Sequence, residues 1–196
     1  MPGMARGAYH HGDLRRALLD AAVEAIEESG PAALSLRDLA RRAGVSHAAP
    51  AHHFGDKAGL LTALAVEGYD RLAATLVAAG DDLLEVGVAY VRFAVDHRAH
   101  FEVMFRPDLY RRDDPEVAAA RGRAGAALRA GVVSVRRGRA PADPAPSAGD
   151  ELDRDALAAW SIVHGFATLW LAGALPGGTD RDPEAAARAV IRRLFE

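Results

Sequence analysis

Apolar residues recur along this chain at helical spacing almost throughout, and Ala is abundant while β-branched residues are sparse. The pattern predicts an all-α protein. A first helix is expected over residues 13–29, where Leu14, Leu18, Ala21, Ala22, Ala25 and Ile26 form one stripe and Glu24, Glu27 and Glu28 take the other face. Gly30-Pro31 stops it. Ser35-Leu36-Arg37-Asp38 opens a short second helix, with Ser35 in the capping position and Asp38 placed to answer it. That helix ends at Gly44, and Val45-Ser46 leads to a third, with Ser46 as its N-cap and its end near Phe54-Gly55. Asp56 caps a long fourth helix carrying Leu60, Leu61, Leu64, Ala65, Leu72, Leu76 and Val77, which Gly80 breaks. Further helices are expected over residues 83–96, 100–105, 115–136, 152–175 and 183–195, with Pro115 and Pro183 at starts that tolerate proline. Residues 138–150, GRAPADPAPSAGD, show no period and read as a loop.

Composition narrows the classes. At 196 residues, half apolar and 26% charged, the chain can bury a core as one domain or as a small one plus a larger. Having 8 His and no Cys excludes disulfides, iron–sulfur clusters, thiolate zinc sites and cysteine nucleophiles. The start, MPGMARGAYHHGD, lacks the apolar stretch of a signal peptide, so a cytoplasmic location is expected. The stretch from Ala158 to Leu175 carries no formal charge, yet Ser161, His164 and Thr168 would need partners in lipid and the flanks are acidic. It reads as a helix buried between its own domain and a second subunit, with no membrane partner. A net charge of −3 means that any nucleic-acid binding must be local.

Residues 34–57 hold the strongest signal. Two helices of under ten residues joined through a glycine must pack steeply against a third, which is the layout of a helix-turn-helix. Ala40 is small where the helices cross, Gly44 supplies the left-handed corner, and Leu36, Leu39, Val45 and Phe54 face the core. Arg37, Arg41, Arg42 and Lys57 oppose only Asp38 and Asp56, and His47, His52 and His53 add donors on the presumed recognition helix. The competing reading is an ordinary solvated face. For Lys57, the chain's one lysine, the alternatives are a phosphate clamp at a helix start and a plain surface lysine. Arg6 is either a minor-groove arm or part of an uninvolved tail.

YHHGDLRRALLDAA at residues 9–22 and LSLRDLARRAGVSHAAPAHHFGDKAGLLTAL at residues 34–64 resemble the DNA-binding region of the tetracycline-repressor (TetR/AcrR) family. The resemblance is carried by Ala40, Gly44-Val45-Ser46, His53-Phe54, Lys57 and Leu60-Leu61. Trp160 with His164-Gly165 in WSIVHGFATLWLAGAL resembles the C-terminal domain of the family's WHG subgroup. The resemblance implies a helix-turn-helix DNA-binding domain over residues 1–57 and a helical ligand-binding and dimerisation domain over residues 58–196. It implies a homodimeric transcriptional regulator, usually a repressor, that leaves a palindromic double-stranded DNA operator when a small molecule binds. By position, Ser35, Ser46, His53 and Lys57 become phosphate contacts, His47, Ala48 and His52 base-edge contacts, and Arg37 a further DNA-binding residue. Ala51 departs from a common tyrosine and Pro50 from a common aliphatic residue.

In the larger domain Phe93 and His100, with the candidate ligand-binding residues His97, Phe101, Met104, Phe105, Tyr110, Trp160, His164 and Trp170, supply the mixture that pockets use, although each aromatic singly suits plain core packing. The effector is expected to be partly apolar. His164 is either a ligand-sensing donor or a buried histidine bonded within the bundle. His97 and His100 share a face only if a helix runs through Arg98, and no motif supplies a third ligand, so no metal is expected. Gly165 and Gly173 permit close helix approach at a subunit interface. Without a phosphate-cradling loop, nucleophile elbow or paired ligand motif, neither an enzyme nor a cofactor is expected. The main alternative is a helical small-molecule-binding relative that no longer reads DNA specifically.

Overall fold

A computed structural model describes residues 11–138, 148–176 and 181–193. Nine helices lie within them: α1 (His11–Ala33), α2 (Leu36–Arg42), α3 (Ala49–Phe54), α4 (Lys57–Ala78), α5 (Leu83–Asp96), α6 (Arg98–Met104), α7 (Pro115–Gly138), α8 (Ala148–Leu171) and α9 (Pro183–Arg192). No strand occurs among the described residues, so the all-α expectation holds. Most of the expected loop, and Arg6, lie outside them.

Aspartates start the long helices. Asp56, Asp82 and Asp182 accept bonds from the backbone N–H of Gly59, Leu84 and Glu184, and Asp114 accepts from Glu116. Each carboxylate satisfies a donor that the helix leaves orphaned and complements the positive end of its dipole. Gly80 breaks α4 from α5 at φ 83°, and Gly30 breaks α1 at φ 75°, after which Pro31 starts one last turn to Ala33.

α2 ends in a paired closure: the Gly44 N–H donates to the Arg41 carbonyl and the Val45 N–H to the Ala40 carbonyl. Gly44 takes φ 66° to allow it, a conformation in which any Cβ is strained. The α3 start differs from expectation. Its N-cap is Ala48, not Ser46; the Ser46 carbonyl accepts from Ala49 in a preceding turn, and Pro50 occupies the first turn where its missing N–H costs nothing. Ser35 is the N-cap of α2 but its hydroxyl makes no cap bond.

One hydrophobic cluster runs from head to body. Leu18, Ile26, Leu39 and Ala40 are buried in the head, and Leu60, Leu61, Leu64, Tyr69, Leu72 and Leu76 carry the buried stripe along α4. α4 lies chiefly along α7, α5 between α8 and α9, and α6 against α4 and α1. α4 is therefore a single 22-residue rod that leaves the head and becomes the centre of the body.

Candidate nucleic-acid interface and enclosed pocket

The α2–α3 pair presents Ser35, Arg37, Ser46, His47, Ala48 and His52 to solvent, with His53 and Lys57 half-buried beside them. Phe54 anchors the end of α3 in the core, and the Arg15 guanidinium of α1 covers its ring at 5.4 Å. The local positive charge is smaller than the residue types suggest. Arg41 and Arg42 both bind Asp38, and Arg42 also grips Glu28 of α1 through two contacts of 2.9 and 2.6 Å. Asp38 thus serves these arginines rather than a capping box; Arg42 and Arg41 hold its carboxyl below the usual range, and Arg42 does the same to Glu28. Arg37 carries no ion pair among the described residues. The Lys57 ammonium donates to the Ala32 carbonyl at 2.6 Å, closing the end of α1 and holding the amine over the junction of α1, α2 and α4. Two of its three donors stay available.

Behind the head, the body holds a partly open cavity of about 590 Å³ between α4, α5, α6, α7 and α8. Its wall includes Tyr69, Leu72 and Leu76 of α4, Tyr90 of α5, Met104, Phe105 and Tyr110 around the end of α6, Leu128 of α7 and Trp160 of α8. Arg121, Gly125 and Arg129, spaced four apart along α7, are exposed and face Asp153 and Leu157 of α8, so the mouth opens between these helices. Arg129 binds Asp153 at 3.0 Å.

Met104, Phe105, Tyr110 and Trp160 thus stand on the wall. Phe101 and His164 are packed behind it: Phe105 lies 4.3 Å and Phe101 5.3 Å from the His164 ring. His97 sits at the corner between α5 and α6, 5.1 Å from Phe93, and Trp170 lies toward the far end of α8, stacked on Phe166 at 6.0 Å. Phe101, His164, His97 and Trp170 do not line the cavity. Tyr69, Leu72, Leu76, Tyr90 and Arg121 line it although the sequence marks none of them as a ligand-site candidate. Their helices are separated along the chain, and no spacing rule relates positions on different helices.

A polar chain backs the wall. Trp160 Nε1 donates to the Tyr90 hydroxyl at 3.1 Å, and that hydroxyl meets His164 Nδ1 at 3.0 Å. With the indole donating, the phenol is left to donate to Nδ1, which assigns His164 as the neutral Nε2–H tautomer. Burial lowers the pKa of His164, in agreement. His164 is half-buried and bonded to Tyr90 within the bundle. Tyr69 and Tyr110 both donate to the Met104 carbonyl, at 3.1 and 3.0 Å. Burial foremost, and then Tyr110, push the Tyr69 phenol upward against the nearby charge of Arg121.

The chain breaks helix geometry at His97, between α5 and α6, yet the His97 and His100 rings meet edge to face with centroids 6.1 Å apart. His100 is buried at the junction of α1, α4 and α6, 3.5 Å from Glu67, with both ring nitrogens unbonded. Its approach, with Arg16 and Arg71, holds the Glu67 carboxyl well below the usual range.

The pocket reaches the head through one loop. Tyr110 lines the cavity, and the next residue, Arg111, donates its N–H to the Thr62 hydroxyl at 3.0 Å and its guanidinium to Asp56. Gly59 permits this closeness: a Cβ there would stand 2.0 Å from the Phe54 carbonyl oxygen and 3.0 Å from Arg111.

Two short packed helices joined through a glycine corner, the second exposing polar side chains, and linked by one rod to a hollow helical body, are the build of a helix-turn-helix DNA-binding regulator. Residues 83–194 match the tetracyclin repressor-like C-terminal domain, and residues 18–64 match the bacterial regulatory proteins of the tetR family. With more than half of the chain matched by the first model alone, this protein belongs to the TetR family. Among solved structures it is similar to a protein of unknown function from Rhodococcus sp. RHA1, 34% identical, with 97% of each chain covered and a TM-score of 0.78. It shares its fold with the TetR family transcriptional regulator PfmR from Thermus thermophilus, 24% identical over 89% of this chain and 97% of that one, TM-score 0.67. A stretch of 49 residues is similar to the HTH-type transcriptional regulator BetI of Escherichia coli, at 51% identity, which is 25% of each chain. The match spans about a quarter of the length of those curated relatives. Among the described residues no helix is long and apolar enough to cross a membrane.

Proposed function

We propose that this protein is a homodimeric transcriptional repressor, acting in the cytoplasm, that binds a palindromic operator through α3 and is released when a small, partly apolar effector fills the cavity of the body. The observation that carries the reading is the covalent step from Tyr110 on the cavity wall to Arg111, whose guanidinium binds Asp56 at the start of α4, just beyond α3. An occupant that moves Tyr110 moves a residue bonded to the base of the recognition helix. Arg37, Ser35, Ser46, His53 and Lys57 supply phosphate contacts, and His47, Ala48 and His52 meet base edges. The second subunit covers α8 and α9, where Leu169 and Val190 are 47% and 43% exposed and Gly165 faces open space. No catalytic role is part of this reading.

Selection of bound duplexes from a random library tests it. The expected product is a two-fold-symmetric site whose halves lie about 34 Å apart or a multiple of that. Its affinity should fall roughly 10³-fold or more between about 50 and 200 mM salt. A head that no longer reads DNA would enrich no sequence and show only weak association indifferent to sequence, and this result would overturn the proposal.

A further inference from the structure

We infer that the effector is an amphipathic anion, an apolar body ending in a carboxylate, and that Arg121 receives the carboxylate. The inference rests on the reading of the cavity as the effector site and names the chemistry that the site selects. Inside, the polar groups are already committed to one another: Tyr69 and Tyr110 to the Met104 carbonyl, and Trp160 to Tyr90 to His164. A polar body placed there would lose its hydration without finding a free donor, so the interior favours apolar matter.

The mouth is different. It carries three charges, Arg121, Arg129 and Asp153, of which the last two cancel in their ion pair. What remains is the guanidinium of Arg121, which has no ion pair among the described residues and whose charge reaches the buried Tyr69 phenol. A guanidinium matches a carboxylate with two parallel donors, and the bond strengthens beside apolar walls. An ammonium in the same place would meet net positive charge. Gly125, one turn from both arginines, has nothing within 4 Å of where its Cβ would stand, so the path past Arg121 is clear. The volume of about 590 Å³ lies in the range of sites for drug-sized molecules, ample for a medium-length alkyl chain.

Calorimetry on the full chain without DNA, using decanoate, decanol and decylamine below their aggregation limits, tests the inference. Decanoate is expected to bind about 10-fold or more tighter than decanol, the factor that a charged hydrogen bond supplies, and decylamine more weakly than either. Arg121→Gln should bring decanoate down to the decanol level while decanol itself is unaffected, and Gly125→Trp should obstruct the mouth and weaken all three. Both positions are exposed on α7, and circular dichroism of each variant checks its fold. Decanol binding as tight as decanoate, or a preference for the acid that survives Arg121→Gln, overturns the anionic class while leaving the cavity an effector site. Failure of all three probes to bind overturns both.

Discussion

Arg111, on the connection between α6 and α7, holds Asp56 at the start of α4 with one guanidinium nitrogen 3.0 Å from each carboxylate oxygen. The pair joins the body to the head at the residue that also caps α4. Both partners are more than half exposed, so water screens the attraction and the contact contributes little to folding. Arg111→Ala is therefore expected to leave the melting temperature almost unchanged while reducing the factor by which an effector weakens operator binding. That factor, measured by fluorescence anisotropy with and without effector, should drop by roughly 5-fold or more if the link carries coupling of ordinary size. An unchanged factor would make the pair a bystander.

Lys57 and the α3 histidines should separate by the kind of loss they cause. Lys57→Gln is expected to weaken binding about equally for every duplex and to reduce the slope of log affinity against log salt by about 1. His47→Ala and His52→Ala should instead alter base preference at particular positions, each costing roughly 1–3 kcal/mol on the preferred sequence. Competition against a panel of single-base variants distinguishes the two patterns.

Stability should fall on mild acidification. Burial lowers the pKa of both His97 and His164, so the native state holds them neutral while the unfolded chain takes up protons near the ordinary value of 6.5. The unfolded state then binds more protons below that pH, and stability, fully present above it, declines as pH falls toward the native pKa values. Melting temperatures at pH 7.5 and 5.5 should show the decline, and His164→Gln should flatten it.

Leu61 of α4 is fully buried where the head meets the body. Leu61→Ala is expected to cost about 2–5 kcal/mol through lost transfer energy and the cavity left behind. For a chain of this size that corresponds to a fall of roughly 4–20 °C in melting temperature, readable by calorimetry.

Glutamate at Leu169 or Val190 places a charge where the second subunit is proposed to sit. In the free monomer both positions are exposed, so the fold should tolerate the change. Light scattering should report a monomer, and operator affinity should collapse because one head engages only half the site. A dimer that persists in both variants would move the interface elsewhere.

Much of the fold could be read from local chemistry. Gly80 and Asp82 fix the start of α5, and its expected span, Leu83–Asp96, is the observed one. Trp160 and His164 are paired in the sequence by the resemblance to the WHG subgroup, and both lie on α8. What escaped is tertiary. Arg42 reads as a free cation until α1 brings Glu28 against it, and nothing in the sequence marks Tyr90 until α8 brings Trp160 to its hydroxyl. Ser46 reads as a cap because its side chain suits that role, but Pro50 needs a place in the first helical turn, and α3 starts beyond the serine.

The unbroken run of α4 from cavity to head has a mechanical consequence. At 1.5 Å per residue its 22 residues span about 33 Å. Pivoting such a lever by about 5° sweeps its tip through about 3 Å, close to the rise of one base pair, roughly 3.4 Å. A displacement within thermal reach at the chamber would thus throw the reading surface out of step with its groove.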